Sequence, residues 1–286
     1  MMNSVLVVTN FNAGRKQAVK FKKKVLDFII KRTKDFKFVD IDELKTLDVT
    51  PFDTIFAMGG DGTVNKVLPY LAGTDKTLGI IPCGTANLLA AKLGFLGNLN
   101  KTLKTIEKNN IKEIDVLDIN NQFCALRCGI GYDADIICKT PQSLKNKFGY
   151  FAYFVAGILF ALRLKMRRYN FIIDGKNCET DASCIIIANA ANMYRNFFAT
   201  GSNCMLDDGL MEIFVLKTQN PILFFFEFLK IFFNIHKDSK IASYIKAKEI
   251  KTKENWLNCH IDGEKRILKD DISIKIQEKF IKVFCK

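Results

Sequence analysis

Histidine is nearly missing from this chain: there are two in 286 residues, His236 and His260. They stand far apart, and no Ser/His/Asp or Cys/His arrangement forms around either, so both read as structural. Cysteine is present nine times, yet the number is odd and no Cys-x-x-Cys pair occurs, which argues against a zinc site and a disulfide framework. Reduced thiols in a cytosolic setting are the expectation. The longest uncharged run, Phe148 to Leu162, falls short of the roughly 20 residues that span a bilayer. The first residues read as a strand, not a signal peptide. Neither the Walker ending Gly-Lys-Ser/Thr nor Gly-x-Gly-x-x-Gly occurs. Acidic residues are outnumbered by basic ones, 30 to 43, leaving a net charge of +13. An anionic partner (acidic lipid headgroup, nucleotide, nucleic acid) explains that balance, and so does a composition biased to Lys, Asn, Ile and Phe. No nucleic-acid recognition motif accompanies the charge, and nucleic acid is not an expected partner.

What is present is glycine in a telling place. Met58-Gly59-Gly60-Asp61-Gly62-Thr63-Val64-Asn65 follows the apolar strand Thr54 to Ala57, and Val64, Val67, Leu68 and Leu71 after it share one helical face. Glycines at a strand-to-helix turn let backbone N–H groups approach a ligand, and phosphate is the usual one. A carboxylate in a phosphate loop needs a cation between itself and the ligand. Mg²⁺ carried by a nucleotide fits, and Asp61 is its expected contact. A second unit repeats the pattern: strand Leu78 to Pro82, then Cys83-Gly84-Thr85-Ala86-Asn87 before Leu88, Leu89, Ala91 and Leu93. Two such loops suit one nucleotide laid across neighbouring strand ends.

Gly-Gly-Asp-Gly-Thr followed by Pro-x-Gly-Thr-x-Asn resembles the diacylglycerol kinase catalytic family, the bacterial lipid kinases related to sphingosine kinases. The likeness continues through Gly129-Ile130-Gly131-Tyr132-Asp133-Ala134, Leu206-Asp207-Asp208-Gly209 and Asp262-Gly263-Glu264. It implies nucleotide contacts from Asn10, Gly14, Gly59, Gly60, Asp61, Gly62, Thr63, Asn65, Gly84, Thr85 and Asn87, with Glu264 as the base and Asp61 holding Mg-ATP. It also implies a structural Mg²⁺ on the Asp208 carboxylate and the Met205 and Leu210 carbonyls. There are departures. The first loop, Asn10 to Gly14, lacks the family's Pro and Ser; Lys66 and Leu88 stand where Glu and Asp are common; and Pro69 should kink or shorten the helix after Gly62.

Strands alternate with helices as far as Asp115, among them Ser4 to Thr9, the basic helix carrying Ala18, Phe21, Val25, Phe28 and Ile29, and Phe36 to Ile41. After it come short strands: Ile114 to Ile119, Phe123 to Cys128, Asn170 to Ile173, Ser183 to Ala188, Met211 to Leu216, Trp256 to Ile261 and Ile272 to Ile276. The expected fold is α/β plus β: an N-terminal α/β nucleotide-binding domain over 1–118 and a C-terminal β-sandwich over 119–271, with 272–286 returning to the first. Phe148 to Leu162 reads as a buried helix with basic ends, and Pro221 to Ile235, rich in Phe, as either a core helix or one lying at a bilayer surface; either segment could also line the path of a lipid tail. The expected protein is an ATP- and Mg²⁺-dependent kinase of a membrane lipid, diacylglycerol first, peripheral at the inner face of the membrane, in the cytoplasm, with an oligomer open. Sphingoid, ceramide, phosphatidylglycerol or polyprenol acceptors, an NAD kinase, and a silent nucleotide- or lipid-binding regulator are the alternatives.

Overall fold

The computed structural model describes residues 2–11, 17–95, 98–141, 143–144, 151–189, 192–194, 197–199, 205–232 and 239–286. Gly14, the segment 201–204 and His236 lie outside the described residues. The chain divides into two compact units, 1–114 with 279–286 and 115–278. The border falls at Asp115 because its amide already bonds Leu206, deep in the second unit.

In the first unit, β1 (Ser4–Thr9), α1 (Gln17–Ile30), β2 (Asp35–Asp40), β3 (Thr54–Gly59), α2 (Asp61–Val67), β4 (Thr77–Pro82), α3 (Leu88–Lys92) and α4 (Leu99–Glu107) follow one another. The strands form a parallel sheet in the order β2-β1-β3-β4, closed on the β4 edge by the last residues of the chain, where Lys282 and Val283 pair with Thr77 and Leu78. β1 and β3 are buried at every position, as parallel strands covered on both faces must be. α1 buries Ala18, Val25, Phe28 and Ile29, the face its spacing predicts. The helix expected to reach Leu71 stops at Val67 and tightens into a 3₁₀ turn, Leu68–Tyr70. Pro69 supplies no amide to continue it.

The second unit holds the rest: β5 (Ile111–Ile119, entering from the first unit), β6 (Gln122–Cys124), β7 (Arg127–Gly131), α5 (Tyr132–Lys139), α6 (Phe151–Phe160), β8 (Arg167–Ile173), β9 (Lys176–Ala182), β10 (Cys184–Ala188), β11 (Asn192–Tyr194), β12 (Phe197–Ala199), β13 (Met211–Leu216), α7 (Pro221–Phe232), β14 (Ala242–Ala247), β15 (Glu249–Thr252), β16 (Trp256–Ile261), β17 (Glu264–Leu268) and the first part of β18 (Ile272–Phe284), whose last residues belong to the first unit. One sheet, β14-β13-β10-β7-β16-β17, is antiparallel throughout. The start of β18 joins β15, β8 and β9 in another. Leu117, Ile130, Phe171, Ile185, Ile213, Ile250, Trp256 and Ile274 fill the space between, giving the sandwich expected.

Two readings change. The strand expected over Phe123 to Cys128 is broken at Ala125 and Leu126, whose amides turn to the Asp262 carboxylate. The run Phe148 to Leu162 is not internal throughout: Ala152 and Ala156 are buried, but Leu159 and Leu162 are 63% and 83% exposed. α7 divides likewise, with Phe224 and Glu227 buried and Ile222, Phe225 and Phe226 facing solvent.

Candidate active site

In the first unit the site is built almost wholly from backbone. β3 ends at Gly59, Gly60 stays extended (φ −102°, ψ −170°), and Asp61 opens α2. The amide of Cys83 returns to the Gly59 carbonyl at 2.7 Å, tying the two loops together. Asn87 adopts φ 49°, a left-handed conformation Asn tolerates, and folds its side chain onto Gly84: Gly84 N donates to Oδ1 at 2.9 Å and Nδ2 donates to the Gly84 carbonyl at 2.8 Å. Opposite, Gly60 and Gly84 approach so closely that a Cβ on Gly84 would lie 2.4 Å from the Gly60 Cα. Only glycine fits there. The Asp61 carboxylate reaches across to the Leu89 amide at 3.3 Å, so it also holds the first turn of α3.

α2 and α3 have seven and five residues, so their dipoles add little. Thr63 turns inward: its side chain is buried against Gly59, and its amide bonds the Gly60 carbonyl at 2.9 Å. Gly62 and Asn65 are half-buried and Thr85 is exposed. Asn10 follows β1 and donates its amide to Met58 at 3.3 Å, beside the same loop. Burial pushes the Cys83 thiol up to about 12, so it stays neutral.

In the second unit side chains do the work. Ile261 and Glu264 pair across a two-residue turn in which Asp262 and Gly263 take φ 47° and 85°. That is the tight hairpin an Asp-Gly pair favours. The Asp262 carboxylate accepts the amides of Ala125, Leu126 and Arg127 at 2.9, 3.0 and 2.7 Å and the Cys124 thiol at 3.1 Å. Burial still outweighs these donors and pushes its pKa up. Behind the turn, the fully buried His260 meets Asp133 through Nε2 at 2.6 Å, and Asp133 meets Arg127 at 3.3 Å. The Gly263 amide donates to His260 Nδ1 at 3.3 Å, which assigns the ring proton to Nε2, facing Asp133. Burial raises the Asp133 pKa, but Arg127 and His260 outweigh it and hold the carboxyl below its usual range. A Cβ on Gly129 would sit 2.2 Å from the Asp133 carboxylate, so this glycine makes room for the pair. Glu264 itself is 38% exposed, its carboxylate 2.5 Å from Arg266.

At Asp208 the carboxylate expected to hold a metal has a lysine beside it. That carboxylate faces the Lys246 ammonium at 3.0 Å and caps the Leu210 amide at 3.2 Å, while Met205 is half exposed. Lys246 thus supplies a countercharge to Asp208 in this structure. Sequence reasoning overlooked Asp115, buried in β5, whose carboxylate accepts the Gly209 amide at 2.8 Å. It also passed over the Arg127–Asp133–His260 network. Asp133 and His260 alone are 127 positions apart, so no local pattern announces the network.

With that geometry in place, comparison with known proteins decides the family. The model for the diacylglycerol kinase catalytic domain matches residues 4–119, and the one for the YegS C-terminal NAD kinase beta sandwich-like domain matches 127–283. The chain belongs to the family of the YegS C-terminal domain, whose model spans more than half of it. The division between the two matches lies between β5 and β7, across β6, close to the border of the two units. A protein of Bacillus subtilis (strain 168) named diacylglycerol kinase is 28% identical over 217 residues, 74% of this chain and 71% of that one. A Citrobacter koseri protein named probable lipid kinase YegS-like is 31% identical over 196 residues. An uncharacterized protein of Synechocystis is 35% identical over 168. The chain spans 62% and 39% of these last two relatives. The crystal structure of a diacylglycerol kinase from Bacillus anthracis str. Sterne shares the fold, with a TM-score of 0.76 at 22% identity, covering 100% of this chain and 97% of that one. Yeast NADH kinase complexed with NADH follows at TM-score 0.54 and 12% identity, covering 100% and 84%.

Proposed function

We propose that the protein is an ATP-dependent lipid kinase that moves the γ-phosphoryl group of ATP to the hydroxyl of a membrane lipid, diacylglycerol first among candidates. The observation that carries this reading is the Gly60–Gly84 approach, a packing of two loop backbones that leaves no room for any Cβ and sets both loops side by side. Phosphoryl transfer asks a protein chiefly for positioning and charge neutralisation, and a backbone cradle provides the positioning. Asp61, at the lip of that cradle, is the residue to face a nucleotide-borne Mg²⁺, which when bound would neutralise phosphate charge. Glu264 takes the proton of the acceptor hydroxyl as the new phosphate ester bond forms and ADP leaves with the broken one.

Exposed Leu159, Leu162, Ile222, Phe225 and Phe226 favour a lipid acceptor over a dinucleotide. Lys217 and Lys230, at either end of α7, would face anionic headgroups while those side chains enter the bilayer surface. Among the described residues no helix is long and apolar enough to cross a membrane, so the reading is peripheral docking, from the side where ATP is found. The test is product analysis after incubation with radiolabelled ATP, Mg²⁺ and a lipid extract. Labelled phosphatidic acid is the expected result. Label in another lipid would redirect the acceptor to a sphingoid, ceramide, phosphatidylglycerol or polyprenol. Label confined to a dinucleotide, or no transfer despite ATP binding, would overturn the lipid-kinase reading.

A further inference from the structure

The second unit contains a cavity of about 370 Å³ that the kinase reading does not use. It lies at the far end of β16 from the Glu264 turn. Trp256 lines it, and the five strand steps to Ile261 cover about 16 Å. Four cations surround it, Arg163, Lys165, Arg167 and Arg168, against two carboxylates, Asp135 and Glu254.

The carboxylates offset these cations only in part. Asp135 is taken by Lys139 and by the Asn258 amide, both at 2.8 Å, and Glu254 accepts the Asn170 backbone and side-chain N–H groups at 2.6 and 3.1 Å. Arg168 turns to Glu179 and Asp181. Among the described residues Arg163, Lys165 and Arg167 have no ion-pair partner. Three like charges gathered at one cavity repel, and the two carboxylates among the described lining residues are too few to offset them all. An anionic ligand would. Two guanidinium groups present paired N–H donors that match phosphate oxygens, with Lys165 as a point charge beside them. The volume is of the size that holds a small organic ligand, ample for a phosphate with a compact organic group attached.

The geometry points to a second anion site, one that binds a phosphate ester group between Arg163, Lys165 and Arg167. That group comes either from a soluble phosphate ester or from a phospholipid headgroup in a bilayer. The site is remote from the glutamate assigned to catalysis, and binding there does not depend on turnover.

Trp256 is the single tryptophan of the chain, so its fluorescence reports on the cavity directly. The full-length protein is titrated with sn-glycerol 3-phosphate in one arm, and in the other with phosphatidylcholine vesicles with and without phosphatidic acid. The three cationic side chains are exposed, so Arg163→Gln/Lys165→Gln/Arg167→Gln should keep its melting temperature; single Arg167→Gln serves as a milder variant. Lys176→Gln/Lys240→Gln/Lys275→Gln removes the same charge from exposed positions that do not line the cavity. A saturable change in the wild type, weakened at least about tenfold in the cavity variant and kept in the control, supports the site. Response to glycerol phosphate assigns a soluble source, and response to phosphatidic acid vesicles alone assigns the headgroup. Equal binding by wild type and cavity variant, an equal loss in the control, or no response from the wild type would overturn it. A protein that phosphorylates no lipid can still pass this test, so the two readings fail separately.

Discussion

The glycine loops of the first unit and the Asp262–Glu264 hairpin of the second solve the same problem by opposite means. At Gly60 and Gly84 position comes from the absence of side chains, and the polar partners are mostly main-chain amides. At the hairpin it comes from buried charge: Asp262 gathers three amides, while His260, Asp133 and Arg127 back the turn. A backbone site should be damaged by adding atoms, and a charge-built site by removing them.

The sharpest break is at Glu264. Glu264→Gln keeps the shape and removes the base, so kcat should fall by about 10²–10⁴-fold while ATP affinity in equilibrium binding stays as it was. Undiminished transfer would take Glu264 out of that role. Asp133→Ala comes next, in stability. It leaves Arg127 buried without its carboxylate, which should cost about 3–5 kcal/mol in urea denaturation. The sign of its pH dependence is set by the lowered pKa. The stability Asp133 contributes is complete above the usual 3.8 and is lost as pH falls through the folded value. Asp262 runs the other way, its raised pKa making ionisation unfavourable to the fold as pH climbs past 3.8. A wild type whose acid unfolding matched that of Asp133→Ala would break the account of the network.

Gly84→Ala probes the other half of the comparison. The added methyl meets the Gly60 backbone, which has no flexible end to swing away, so the loops must part. A stability loss of about 1–3 kcal/mol is expected, with ATP binding weakened at least tenfold. If ATP affinity survived the substitution, the Gly60–Gly84 cradle would not be where phosphate lies.

Much of the first unit could be read along the chain because its determinants are local. Continuous apolar strands, glycines at their ends and Pro69 shortening α2 are all neighbours in sequence. The turn before Glu264 was legible for the same reason. What holds that turn was not: Asp262 reaches Ala125, 137 positions away, and Asp115 reaches Gly209, 94 away. Nor could hydropathy tell that Leu159 and Leu162 face outward, because an apolar run records that side chains avoid water without saying what covers them.

The smallest expected effect concerns Asp208, where the resemblance implied a magnesium ion and the structure has Lys246. The pair is partly exposed, its side chains 19% and 41% accessible, so removing the lysine should move the melting temperature only slightly. The informative quantity is its metal dependence. In the wild type the ammonium meets the Asp208 carboxylate, and EDTA should leave the melting temperature unchanged. Lys246→Met removes that cation and keeps a similar aliphatic stem, leaving Asp208 to seek a countercharge from solution. The variant should therefore be stabilised by millimolar Mg²⁺ as the wild type is not, since an ion that binds only the folded state shifts unfolding by mass action. A wild type that lost stability in EDTA would mean that Lys246 does not take the metal's place, and the site would then belong with the side-chain-built half of the molecule on different terms.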